Sequence, residues 1–265
     1  MIPSSPSSPT PPSAPRGVLL VHGAWHTGRA WDGVAAGLRA RGVAVAVAEL
    51  HRGSLAADIS AAESALDGLP EGGPAVVCGH SYGGAVITGL PPHTVGHLVY
   101  LAAMMPDLGE TALGLLAGAP PTDLATSMIG GPAGTTTIDP EAAGRLFHAR
   151  LGEEERARHT AELVPQTMAP GHQPTTRAAW HQRPSTYVVC SEDRAMHPDL
   201  QRRFAARATR ALTWQSDHGV FASHEEATIG LLHGLATAGH LTPGSGAGLR
   251  SAGSGPTGRP RVRRS

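Results

Sequence analysis

Five residues constrain this chain more than any others: Gly79-His80-Ser81-Tyr82-Gly83. They follow the apolar run Ala75-Val76-Val77-Cys78 and precede Gly84-Ala85-Val86-Ile87, which can open a helix. A serine on a sharp strand-to-helix turn is held in a strained conformation with its oxygen exposed. The glycines leave room for the turn and for neighbouring backbone. Among 34 glycines the five-residue pattern alone is cheap, and its setting between a strand and a helix gives it weight.

The rest of the chain repeats that unit. Short apolar runs at 17–22, 43–48, 74–78 and 97–102 are predicted strands, with further strands at 185–190 and 211–215. Between them lie helices at 27–41, 55–69, 82–90 and 198–208, and a last one at 223–237. The first carries Trp31, Val34, Ala35 and Leu38 at helical spacing and stops at Gly42. The second has Ser54 as its N-cap and stops before Pro70. The pattern is βαβαβαβ, an interruption, then βαβα. It implies a mostly parallel sheet with helices on both faces. The interruption, about 104–183, reads as a mainly helical cap, with its best helical patches at 141–151 and 153–164. A long connection at the carboxyl edge of a parallel sheet lies where ligands bind. The Ser/Pro-rich stretch 1–15 is expected to be a disordered arm. The Gly/Ser/Pro-rich stretch 241–265, with its basic end, is expected to be a disordered tail. The globular part is then 16–240.

Charge argues against nucleic acid and anionic membranes as partners, because 21 basic and 21 acidic residues leave a formal net charge of +0. Every basic residue is arginine, so no mechanism here can use a lysine. No apolar run reaches the length of a membrane span, and the first residues lack the form of a signal peptide. Cys78 and Cys190 end two predicted strands; if those flank a third, they lie about 10 Å apart, too far for a disulfide. Two buried thiols fit a reducing cytoplasm.

A serine hydroxyl needs a base to take its proton, and the base needs a carboxylate to hold one tautomer. The loop after 185–190 reads Ser191-Glu192-Asp193-Arg194, and that after 211–215 reads Ser216-Asp217-His218-Gly219. Asp193 and His218 fall where such partners are required, with Glu192 as the competing acid. Asp217 would point elsewhere from its loop, and His80 serves packing or hydrogen bonding beside Ser81. Developing negative charge needs preformed backbone N–H groups. Tyr82, after the serine, supplies one. Ala24, in the loop His22-Gly23-Ala24-Trp25-His26, supplies the other, although a glycine-containing turn can also merely link strand to helix.

Across about 16–240 the chain resembles an α/β-hydrolase. The nearest branch holds plant methylesterases, hydroxynitrile lyases and many small bacterial esterases. Residues 18–26 are similar to that branch's first strand and oxyanion loop, and 79–84 to its serine turn. Residues 187–195 resemble the acid loop of its bacterial members, with Asp193 at the catalytic aspartate. The lyases carry a threonine beside the oxyanion loop and a lysine after the catalytic histidine. Here those positions are Gly23 and Gly219, a departure that favours the esterases.

The resemblance implies a serine hydrolase of a small, largely apolar carboxylic ester, with no cofactor and no metal, acting as a monomer or homodimer. Ser81, Asp193 and His218 would be catalytic, and Ala24 and Tyr82 would form the oxyanion hole. Trp25, Met104 and Met105 would border the substrate, with Leu108, Leu115, Leu116, Met128, Ile129, Phe147 and Met168 as further candidates. His22, His26, His51 and His80 are expected to cluster near the pocket without a metal signature. Two other readings stay open: lactone formation, cyclisation or perhydrolysis by the same triad, and a binding protein on the same scaffold.

Overall fold

The computed structural model describes residues 17–51 and 53–238; the arm and tail expected from the sequence lie outside them. In chain order the regular elements are β1 (Val18–Val21), α1 (Asp32–Ala40), β2 (Val45–Ala48), α2 (Leu55–Ala65), β3 (Ala75–His80), α3 (Gly83–Thr88) and β4 (Val95–Leu101). Then follow α4 (Ala112–Ala117), β5 (Met128–Gly130), β6 (Thr135–Ile138), α5 (Pro140–Phe147), α6 (Glu153–Ala161) and β7 (Gln166–Thr167). The chain closes with β8 (Ser185–Cys190), α7 (Pro198–Ala205), β9 (Arg210–Trp214), α8 (Val220–Ser223) and α9 (Glu225–Thr237).

Six strands form one parallel sheet in the order β2-β1-β3-β4-β8-β9. Helices bury both faces, which is why β1, β3 and β8 read as unbroken buried runs. One face packs against α2, α3 and α7 through Leu19, Val77, Ile87, Leu200 and Phe204. The other packs against α1 and α9 through Leu20, Val76, Leu38, Ile229 and Leu232. The expected helical stripe is real: Val34, Ala35 and Leu38 are the buried positions of α1. Ser54 caps α2 by accepting from the Ala57 N–H at 3.1 Å. Cys78 and Cys190 sit on β3 and β8, either side of β4, and are buried free thiols. Among the described residues no helix is long and apolar enough to cross a membrane.

Strand order reverses between β1 and β3, so their carboxyl ends open onto the crevice where ligands bind in such sheets. The connection from β4 to β8 lies over that edge. It carries α4, α5, α6 and, unlike the sequence expectation, a three-stranded antiparallel sheet β5-β6-β7. The β-branched run Thr135-Thr136-Thr137-Ile138 forms its middle strand. The expected helix over 141–151 ends at Phe147, after a start capped by the Asp139 carboxylate on the Ala142 N–H.

Candidate active site

Ser81 has φ +51, a conformation L-residues adopt only when the surroundings impose it. Three contacts do so. Its N–H donates to Leu101 at 3.3 Å, and its carbonyl accepts from Gly84 at 3.0 Å and Met104 at 2.9 Å. The glycines are obligatory. A Cβ on Gly79 would stand 2.7 Å from the Gly83 carbonyl oxygen, and one on Gly83 would stand 2.5 Å from the Val21 oxygen.

His218, in the loop after β9, approaches Asp193 through Nδ1, at 2.7 Å from Oδ2. Asp193 is 4% exposed, and every lone-pair direction is used. Oδ1 accepts from the Ala195 and Met196 N–H groups at 2.8 and 2.9 Å, while Oδ2 also accepts from Gln201 Nε2 at 2.7 Å. Glu192 faces outward, bonded to Arg150 and Gln215. Asp217 turns away, accepting from the Arg150 N–H and the Ser223 hydroxyl. The neighbour that lies against His218 is therefore Asp193. Ser81 and His218 line one cavity of about 320 Å³. Neither Ser81 Oγ nor His218 Nε2 bonds to a described protein group.

The oxyanion candidates share that freedom. Among the described residues, neither the Ala24 nor the Tyr82 N–H donates to a protein acceptor, whereas the flanking Trp25 and Ser81 N–H groups do. The His22 ring fixes the Ala24 peptide. Its Nε2 accepts from the Leu50 N–H at 3.1 Å, so Nδ1 carries the proton and donates to the Gly23 carbonyl at 2.9 Å. In a trans peptide the N–H points opposite the carbonyl, so this bond aims the Ala24 N–H. The Tyr82 side chain is held separately by its hydroxyl, which donates to buried Asp58 at 2.8 Å.

Trp25, Met104, Leu116, Met128, Phe147 and Met168 line the cavity, as the sequence suggested for each. Met105 does not, which corrects the expectation. The two methionines follow β4 side by side and diverge: Met104 borders the cavity, while Met105 is fully buried in the sheet core. Leu115 packs on the same core, and Leu108 and Ile129 are exposed. Trp25 has φ +59 and is clamped by the cap. Its N–H donates to Gln166 Oε1 at 2.7 Å, its indole donates to Thr136, and its carbonyl accepts from Val164 at 2.8 Å.

Histidines gather behind the oxyanion loop, as expected. His22 and His51 rings lie 5.0 Å apart, His26 and His80 5.7 Å, and His80 and His218 4.6 Å. His148, unanticipated, joins them 6.0 Å from His26. Burial holds the imidazoles down to about 3 at His22, about 4 at His26 and about 2 at His148, and His80 is likewise depressed. His22, His26, His80 and His148 are therefore neutral near pH 7. Among the described residues no three His, Cys, Asp or Glu side chains are arranged to share a metal ion.

Sequence reasoning missed Gln201 and Gln166. Gln201 is fully buried on the same face of α7 as Phe204 and Ala205, so a polar residue at an apolar helical position was its one local signal. Gln166 had none, because its partner Trp25 is 141 residues away.

Comparison with known proteins agrees with the geometry. The model of the Alpha/beta hydrolase family matches residues 18–231. A carbendazim hydrolyzing esterase from Nocardioides sp. (strain SG-4G) is 35% identical over 127 residues, 43% of this chain and 52% of that protein; the chain thus spans about half of that relative. A pyrethroid hydrolase from Sphingobium faniae JZ-2 superposes with TM-score 0.72 at 22% identity, covering 84% of this chain and 97% of that one. Polyneuridine aldehyde esterase superposes with TM-score 0.70 at 16% identity, covering 82% and 98%.

Proposed function

The chain belongs to the alpha/beta hydrolase family, and from that premise we propose that it is a serine hydrolase of small, uncharged, largely apolar carboxylic esters. Ser81 Oγ attacks the carbonyl carbon while His218 Nε2 takes its proton. Asp193 orients His218 and offsets the charge it gains. The Ala24 and Tyr82 N–H groups receive the oxyanion, and His218 then protonates the departing alkoxide and activates water to release the acid. One observation carries the reading. Ser81 and His218, the latter held 2.7 Å from Asp193, share a cavity with Ala24 and Tyr82, whose backbone N–H groups lack acceptors among the described residues.

The cavity supports the substrate class, since among the described residues no Asp, Glu, Lys or Arg side chain lines it. A charged group there would lose hydration without a counter-charge. The names of the similar proteins, two esterases and a pyrethroid hydrolase, point the same way. The test is a chain-length series of nitrophenyl esters and lactones with Ser81→Ala as control. The variant should keep its fold and lose about three or more orders of magnitude in kcat/KM. Undiminished turnover would sink the assignment.

A further inference from the structure

Gln166 is 4% exposed, stands on β7 of the cap, and lines the cavity. The Trp25 backbone N–H can only donate, so the amide atom 2.7 Å from it is the oxygen, Oε1. That turns the other end of the amide away from Trp25. The strand itself is anchored: β7 pairs with β6, and the Gln166 carbonyl accepts from Thr136 Oγ1 at 3.3 Å. Two ends of the residue are thereby fixed. Nε2, with two protons to donate, has no partner among the described protein groups. Gln166 lines the cavity, so an acceptor carried in by a ligand can take the place of solvent at Nε2.

Position says which ligand atom. Oε1 sits on the N–H of Trp25, one peptide beyond Ala24, whose N–H is the proposed oxyanion donor. An acceptor reaching Nε2 therefore lies close to the reacting carbonyl. We propose that Gln166 is a specificity-determining residue: its Nε2 donates to a second oxygen or nitrogen acceptor of the substrate, a few bonds from the scissile carbonyl. The substrate class becomes an uncharged ester bearing a ketone, ether or ring nitrogen near the bond that is cut. This inference rests on the ester-hydrolase reading.

A residue that only clamped Trp25 would affect all esters alike, and the experiment separates the two roles. It measures kcat/KM for matched pairs: nitrophenyl hexanoate against its analogue with a ketone in the acyl chain, and a plain alkyl acetate against the acetate of a keto-alcohol. Wild type, Gln166→Leu and Gln166→Glu are compared. In Gln166→Leu the preference for the acceptor-bearing member of at least one pair should fall about three- to tenfold relative to wild type. Loss of the clamp cancels within the pair. In Gln166→Glu an oxygen remains for the Trp25 N–H, and the preference should fall further as the new carboxyl ionises. Unchanged ratios in whichever variant folds would overturn the proposal and leave Gln166 a clamp. If wild type turns over none of the esters and a fluorophosphonate does not label it, the hydrolase reading itself fails.

Discussion

The His80 imidazole donates from Nε2 to the backbone carbonyl of His218 at 2.8 Å. A carbonyl only accepts, so this bond settles the tautomer and leaves Nδ1 as a lone pair facing Gly23, without a partner among the described residues. The residue before the candidate nucleophile thus holds the loop of the candidate base.

His80→Leu should act on both stability and rate. Removing the donor leaves a buried carbonyl unsatisfied, which costs about 1–3 kcal/mol. The freed loop should lower kcat about tenfold with a smaller change in KM, since His218 would be displaced and the pocket left intact. Urea midpoints and initial rates read the two effects. A variant matching wild type in both would mean that His218 is held by Asp193 alone.

The two glycines that set this chain apart from the lyases are sterically enforced. A Cβ on Gly23 would stand 2.8 Å from Ser81 Cβ and 2.9 Å from His80 Nδ1. One on Gly219 would stand 2.5 Å from both His148 Nδ1 and the Phe147 carbonyl oxygen. Gly23→Thr with Gly219→Lys should therefore not confer lyase chemistry. It should displace Ser81 and His218 and lower ester kcat/KM by about two orders of magnitude or more. Cyanohydrin cleavage by the double variant would contradict this.

The sequence disclosed what local rules govern. Gly79 and Gly83 betray Ser81 because no other residue fits beside the Gly83 and Val21 backbones. The Asp193–His218 contact was legible because each residue follows a strand in the expected order. The partners of the supporting groups follow from no local rule. Gln166, His80 and Gln201 matter through partners 141, 138 and 8 residues away, respectively. Met104 and Met105 are equivalent in sequence, and only the path of the chain after β4 separates them. The cap's small sheet was hidden because its strands are short and paired across loops.

Gln201→Leu isolates the support of the acid. Gln201 Nε2 donates to Asp193 Oδ2 and to the Met196 carbonyl, and Oε1 accepts from the Cys190 N–H at 2.8 Å. Leucine leaves three buried groups short of a partner, with a cost of about 2–4 kcal/mol and a lower kcat as Asp193 loosens. Gln201→Glu keeps the Cys190 bond but puts a second carboxyl against Asp193, so its kcat should fall further. Thermal melts and kcat for both variants check the order. Equal activity in all three proteins would remove Gln201 from the site.

Acid should unfold this protein earlier than its carboxylates require. In the unfolded chain each imidazole takes a proton near 6.5, whereas in the fold His22, His26 and His148 take one only near about 3, 4 and 2. Between those values the unfolded state binds more protons, so stability is full above about pH 6.5 and falls as the pH drops. Three such groups give a slope approaching about 4 kcal/mol per pH unit near pH 5. His148 is the cleanest probe, because among the described residues neither ring nitrogen has a partner and its side chain is fully buried. His148→Leu should flatten the slope by about one proton and raise stability in mild acid. Urea midpoints measured across the mildly acidic range decide it: an unaltered slope would show that His148 is not among the groups that resist protonation.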